Sequence, residues 1–148
     1  MVQAKPNSAT PPSYASRLWT LLVMLMAVGT LVELALMGHY EEVWQWPPMV
    51  LLGLSLVSFL ALVWRPGSVT RRVFRGLMLL CGLSGLIGTW LHLQANWEFE
   101  RELHPTASAW NTFTDSLTGA LPALAPFSMV VFALLGYLYT LYHIQKQA

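Results

Sequence analysis

Charged residues are scarce in this sequence. Only 10% of its 148 residues are Asp, Glu, Lys or Arg, whereas 55% are hydrophobic and the mean hydropathy is +0.52. That is less than half the charged fraction of an average soluble domain, and a chain of this length cannot hide so much apolar surface in one water-exposed fold. The composition therefore predicts an all-α integral membrane protein.

The motifs of several enzyme classes and of nucleic-acid binding are also missing. A net charge of +1 without a basic stripe argues against nucleic-acid binding. The single cysteine, Cys81, excludes an intrachain disulfide framework. The sequence contains no G-x-S-x-G, no H-E-x-x-H and no P-loop lysine. Nothing in it indicates a hydrolase or a kinase.

Four long apolar runs are present. Each is close to the roughly 20 residues that cross a hydrocarbon core of about 30 Å as a helix. We predict a four-helix transmembrane domain over residues 18–143. Its predicted membrane spans are residues 18–37, 48–64, 73–93 and 121–143.

Prolines and glycines mark where these spans are expected to begin and end. Pro47 and Pro48 are expected in the first turn of the second span, and the sequence Arg-Pro-Gly at 65–67 is expected to end it. Pro122 and Pro126 predict a kinked or delayed start to the fourth span.

The positive residues predict an orientation. Seven of the eight Lys and Arg residues fall in the N-terminal tail, in the link between spans two and three, or in the C-terminal tail. Positive residues are retained on the cytoplasmic side, so both termini are predicted to be cytoplasmic. Residues 1–17 are expected to be a disordered tail and 144–148 a second, short tail. A bacterial cytoplasmic membrane is the simplest host.

Small and polar residues form a stripe along the third span. Cys81, Gly85, Gly88, His92 and Asn96 recur every three or four residues, so they share one helix face. Small residues allow another helix to approach closely. His92 is therefore expected to point into the bundle, either as a structural hydrogen-bonding group or as a ligand or proton carrier.

Glu33 stands alone as a charge inside the first span. An intramembrane carboxylate is costly and usually faces the bundle. Tyr40, seven residues further on, is expected on nearly the same helix face. Glu33 is thus interpreted either as a structural hydrogen-bonding group or as a functional one.

The most polar stretch is residues 92–104, HLQANWEFERELH. If it is helical, Glu98 and Glu102 align and Glu100 does not; if it is extended, all three face one way. A solvated acidic loop is also compatible with this composition. Residues 107–117 are amphiphilic enough for a short helix lying in the membrane interface between spans three and four.

The leading functional hypothesis is a non-enzymatic subunit or accessory protein. Its outward acidic, His- and Trp-rich face, a shallow polar pocket under the third link, would bind a partner protein, a metal ion or a small ligand. Besides the lipid bilayer, the expected partners are another membrane or periplasmic protein or a second copy of the chain. The predicted ligand or partner residues are Glu33, Tyr40, Trp44, Asn96, Trp97, Glu98, Glu100 and Arg101.

Two alternatives remain open. His39 and His92 lie at similar depth on different spans, so they could be the axial ligands of a b-type haem in an electron-transfer or haem-handling protein, with the stripe glycines leaving room for the macrocycle. Glu42 could join them in holding a divalent metal. The other alternative is a small proton- or ion-coupled transporter that uses Glu33, with the break between Pro122 and Pro126 as a hinge.

Overall fold

The computed structural model describes the backbone of residues 14–145 and the side chains of residues 14–143. This part of the chain contains five α-helices and no strand. Short 3₁₀ turns, Val43–Gln45 and Ala125–Phe127, precede the second and fifth helices. The helices are α1 (Tyr14–Leu36), α2 (Trp46–Trp64), α3 (Ser68–Leu103), α4 (Ala109–Leu117) and α5 (Ser128–Gln145).

Four of these helices are long and apolar enough to cross a membrane. They are α1, α2 with its preceding turn, α3, and α5 with its preceding turn. The prediction of an all-helical chain with four candidate spans is therefore confirmed. Helix α1 begins four residues before the predicted span and so includes the end of the predicted tail, whose first thirteen residues lie outside the described part of the chain.

The ends of α1 and α2 follow from local sequence. Gly38 has φ +68°, a left-handed conformation that glycine adopts without a Cβ penalty. Its N–H donates to the Ala35 carbonyl at 3.2 Å, and the His39 N–H donates to the Leu34 carbonyl at 2.9 Å, which is the Schellman pattern of helix termination. Helix α2 ends at Trp64, before Arg65, as predicted.

A core of aromatic and thioether side chains joins the four long helices. Phe59 of α2 packs against Phe74 of α3 and Tyr139 of α5, with ring centroids 5.3 and 4.9 Å away. Helix α3 is the central element because it contacts α2, α4 and α5. Phe59, Phe74 and Phe132 are almost completely buried.

The small-residue stripe of α3 is confirmed as a close-packing face. A Cβ added at Gly85 would lie 2.9 Å from Met129 Cβ, and one added at Gly88 would lie 2.9 Å from Pro126 Cβ. Cys81 is buried, with its sulfur 3.4 Å from Ser55 Oγ of α2. The glycines therefore let α5 and its preceding turn approach α3, as small residues do between membrane helices.

Helix α3 is longer than its predicted span. Its 36 residues extend about 54 Å at about 1.5 Å per residue, against a hydrocarbon core of about 30 Å. No Gly or Pro interrupts residues 89–104, and the helix ends at Leu103, two residues before Pro105. The stretch 92–103 is consequently helical rather than extended.

Asn96 ties the loop before α5 to α3. It is 2% exposed, and its Nδ2 donates to the carbonyls of Ser116 at 2.9 Å and Leu121 at 2.7 Å. Its Oδ1 accepts from the Leu121 N–H at 2.9 Å. Gly119 lies so close that an added Cβ would be 2.7 Å from Asn96 Cγ. One side chain thus satisfies three backbone groups of the loop.

The segment between α3 and α5 contains a short helix and a late start to the last span. Helix α4 begins at Ala109 after Ser108, whose Oγ accepts from the Asn111 N–H at 3.2 Å. Helix α5 begins at Ser128, seven residues after the predicted start of the fourth span at 121, because the chain first forms the 3₁₀ turn that contains Pro126. The predicted delayed start is therefore confirmed.

Candidate functional site

A large cavity opens at the end of the bundle where α1 ends and α2 begins, which we call the acidic end. Its volume is about 910 Å³, and it lies between α1, α2, α3 and the segment preceding α5. Most of its wall is apolar. The apolar lining side chains include Leu34, Met37, Leu51, Leu80, Leu83, Ile87, Leu91 and Met129. We call this space the acidic-end cavity; it is larger and less polar than the shallow pocket expected from the sequence.

The polar lining is concentrated in a few side chains. Glu33 comes from the last turn of α1, His39 and Glu42 from the α1–α2 link, and His92 from α3. Trp44, which is 83% exposed, also lines the cavity. No Lys or Arg is found among the described residues that line it. The site therefore combines two carboxylates, two imidazoles and one indole with an apolar wall.

Backbone hydrogen bonds position the link residues. Gly38, in its left-handed conformation, turns the chain after α1. The hydrogen bond from the His39 N–H to the end of α1 then fixes the backbone position of His39. Gln45 Oε1 then accepts from the Glu41 and Glu42 N–H groups at 2.9 and 3.1 Å. These contacts hold the short link in a compact turn, and Glu42 and Gln45 both line the cavity.

His92 has a defined tautomer when it is neutral. Its Nδ1 lies 3.2 Å from the Pro122 carbonyl oxygen. A carbonyl oxygen can only accept, so Nδ1 carries the proton and donates it. In the neutral ring the lone pair is then on Nε2, which is the arrangement by which a backbone carbonyl orients a ligating histidine.

His39 is electrostatically coupled to His92. Partial burial, and to a smaller extent the positive charge of His92, lowers the pKa of the His39 imidazole from its ordinary value. Both rings line the same cavity. Both members of the predicted pair therefore line one cavity, and a positive charge on His92 disfavours protonation of His39.

Other features bear on metal or haem binding. Within residues 14–143, no group of three or more His, Cys, Asp or Glu side chains is arranged to hold a metal ion. The space next to Gly85 and Gly88 is occupied by Met129 and Pro126. Gly85 and Gly88 nevertheless also line the acidic-end cavity, so the expectation that they leave room for a macrocycle stays a prediction.

Six predicted site residues lie outside the acidic-end cavity. Tyr40 does not share a helix face with Glu33, because α1 ends at Leu36 and Gly38 redirects the chain. Asn96 is buried against the loop, as described above. Glu98 is exposed and accepts from Gln94 Nε2 at 3.0 Å. The others, Trp97, Glu100 and Arg101, lie on the extension of α3.

Sequence reasoning missed most of the cavity wall. The wall includes Thr30, Gln45 and Ser84 among its polar members and four prolines. The sequence indicates a helix start at Pro47 and Pro48 and a break at Pro122 and Pro126, but it does not show that all four line one space. A signal was available, since both pairs were predicted at the same end of the bundle.

These observations define a class: an all-helical chain with four candidate membrane spans and a mostly apolar cavity at one end. No protein-family model, curated protein or solved structure matches the chain.

Proposed function

We propose that this protein is a non-enzymatic membrane protein that binds a small amphiphilic ligand with a positively charged head group in the acidic-end cavity. The observation that carries the proposal is the cavity itself. Ligand sites typically enclose about 300–1,000 Å³, with apolar walls and a few polar groups that fix orientation, and the cavity has a volume of about 910 Å³.

The charges of the side chains that line the acidic-end cavity favour a ligand with a positively charged head group. Glu33 and Glu42 supply negative charge, and no Lys or Arg among the described lining residues competes for them. The exposed Trp44 offers an indole face, which attracts cations. An apolar tail would lie along the leucine and methionine side chains of the wall.

The test measures stabilisation by charged amphiphiles. Cys81 is the only cysteine and is 0% exposed, so a thiol-reactive dye reports unfolding during a thermal ramp. We expect an alkyl trimethylammonium, added below its micelle concentration to protein in zwitterionic nanodiscs, to raise the unfolding midpoint. The sulfonate with the same chain should not.

Matched variants locate the effect. Glu33→Gln and Glu42→Gln together should remove the stabilisation by the ammonium compound, whereas Glu98→Gln, whose side chain is outside the cavity, should preserve it. Equal stabilisation by both amphiphiles, or an equal loss in Glu98→Gln, would rule out this head-group assignment.

A haem- or metal-binding function is the second candidate, favoured by the hydrogen bond from His92 Nδ1 to Pro122. That bond leaves the lone pair of neutral His92 on Nε2, where it can bind a metal, and His39 lines the same cavity. Metal analysis and a reduced-minus-oxidised visible spectrum of the wild type beside His92→Ala test it. A stoichiometric metal or a sharp α band that disappears in the variant would support this candidate; a colourless, metal-free wild type would count against it.

Ion-coupled transport stays a hypothesis based on Glu33. Its carboxylate lines the cavity, and the loop and 3₁₀ turn around Pro122 and Pro126 interrupt the last span next to it. Transport that persists in Glu33→Gln would remove this hypothesis.

A further inference from the structure

A second cavity lies at the opposite end of the bundle, where α1 begins and α5 ends, which we call the basic end. It has a volume of about 580 Å³ and is bounded by residues of α1, α2, α3 and α5 and of the α2–α3 link. Arg17, Arg71 and His143 line it, together with the hydroxyl side chains of Ser16, Thr20 and Thr140. We call it the basic-end cavity.

The hydroxyl and imidazole groups are organised by hydrogen bonds. His143 Nδ1 donates to the Tyr139 carbonyl at 2.9 Å, because a carbonyl oxygen can only accept. His143 Nε2 lies 2.9 Å from Ser16 Oγ. Tyr139 also stacks on the imidazole, with ring centroids 4.1 Å apart. These contacts connect α1 to α5 at the cavity.

A further arginine, Arg75, adds positive charge next to a residue that lines the basic-end cavity. Arg75 lies one turn along α3 from Arg71, and its Nε donates to Thr140 Oγ1 at 2.8 Å. Its guanidinium carbon is 5.1 Å from the centroid of the Tyr137 ring. Among the described residues, Arg75 Nη2 is buried without a hydrogen-bond partner. A buried cationic group in this position favours a nearby anion.

The chain supplies no side-chain carboxylate to this region. None of its seven acidic residues falls within residues 1–32, 43–97 or 116–148, which include every residue that lines the basic-end cavity. The described residues that line the basic-end cavity therefore include cationic side chains and no Asp or Glu, which favours the binding of an anion.

We propose that the basic-end cavity binds the phosphate of an anionic phospholipid. Leu21, Leu62 and Val63 line the cavity beside the arginines, and Leu18 and Trp64 are exposed nearby on α1 and α2. A bound lipid would place its phosphate among the guanidinium and hydroxyl groups and its acyl chains along these apolar side chains. Basic pockets between membrane helices bind anionic head groups in this way. This site is separate from the proposed ligand site at the acidic end.

The experiment compares three probes on the full chain in a neutral detergent. Phosphatidylglycerol should remain bound in native mass spectrometry and should raise the Cys81-reported unfolding midpoint. Phosphatidylcholine with identical acyl chains should do so much less, and millimolar inorganic phosphate should not displace the bound lipid. Equal retention of both lipids would overturn the proposal. Displacement by inorganic phosphate would show a site for the free anion and overturn the lipid assignment.

Variants test the residues. Arg17→Gln and Arg71→Gln should each weaken phosphatidylglycerol binding about fivefold. Arg72→Gln is the matched control, since Arg72 neighbours Arg71 but is exposed and does not line the cavity; it should bind like the wild type. An equal loss in Arg72→Gln would indicate unspecific attraction and overturn the proposal. If Arg71→Gln fails to fold, Arg17→Gln decides, because the Arg17 side chain is exposed.

Discussion

At the residue scale, Asn96 is the polar side chain with the clearest structural task. It makes three hydrogen bonds to the backbone of Ser116 and Leu121 and is 2% exposed. Truncation leaves buried backbone groups without partners, and each such group costs about 1–3 kcal/mol. We expect Asn96→Ala to lower the free energy of unfolding by about 2–4 kcal/mol, measured through Cys81 labelling.

A matched variant on the same helix tests this assignment. Gln94 is exposed and donates one hydrogen bond to Glu98. Gln94→Ala should change stability by less than about 0.5 kcal/mol, as exposed positions usually do. A similar loss in both variants would contradict the assignment, because Ala has a higher helix propensity than either residue and the loss could not then be ascribed to the contacts of Asn96 with the loop.

His39 should make the stability of the fold depend on pH, in a direction that follows from its lowered pKa. In the unfolded chain the imidazole has its ordinary pKa and protonates first as the pH falls, so protonation favours unfolding. The contribution of neutral His39 to the stability of the fold is fully present above the ordinary pKa. It is lost as the pH falls through the lowered pKa. We expect the unfolding midpoint to drop in this window.

The window is measured with thermal ramps between about pH 8 and 5. His39→Gln should flatten this part of the profile, because the position no longer titrates. His104→Gln is the control, since His104 is exposed just after α3 and does not line the cavity. An unchanged profile in His39→Gln would contradict the prediction.

At the element scale, hydropathy and small-residue spacing predicted the spans and the packing face of α3. The extension of α3 to Leu103 could not be read from hydropathy, because Glu98, Glu100 and Glu102 end the apolar run without breaking a helix. Only Pro105 gave a stop signal, and helices can cross from membrane into water without changing conformation.

The role of Asn96 was hidden for a different reason. The sequence predicts it on the inward stripe, but its partners lie 20 and 25 residues later, Ser116 at the end of α4 and Leu121 in the loop before α5. No periodic pattern predicts such a contact. In the sequence, the arginines of the basic-end cavity likewise indicate only orientation, because α1, α2, α3 and α5 must pack before these side chains line one space.

The glycine face of α3 gives the prediction at this scale. Gly85→Ala would place a Cβ 2.9 Å from both Met129 Cβ and the Pro126 carbonyl oxygen. Backbone and Cβ atoms cannot rotate away, so α5 must shift. We expect a loss of about 1–3 kcal/mol in the free energy of unfolding, again measured through Cys81 labelling.

Gly76 is the control on the same helix. Nothing lies within 4 Å of a Cβ added there, so Gly76→Ala should be neutral or stabilise by up to about 1 kcal/mol through helix propensity. If Gly85→Ala were as stable as Gly76→Ala, the contact between α3 and α5 would be looser than described.

At the scale of the whole molecule, the two ends of the bundle carry opposite charge and separate cavities. Glu33, Glu42 and the two histidines gather at one end, and Arg17, Arg71 and His143 at the other. Helix α1 begins and α5 ends at the basic end. Because positive residues are retained in the cytoplasm, we predict that the basic end is cytoplasmic and the acidic-end cavity faces outward.

Single cysteines in a Cys81→Ala background test this orientation. Glu98 and Arg72 are both exposed and lie near opposite ends of the same helix, α3. In intact cells a membrane-impermeant maleimide should label Glu98→Cys and should label Arg72→Cys only after permeabilisation. The reverse pattern would mean that the protein has the opposite orientation. The acidic-end cavity would then be open to cytoplasmic ligands. Labelling of both sites in intact cells would contradict the prediction, because a single orientation in which α3 crosses the membrane exposes only one of them.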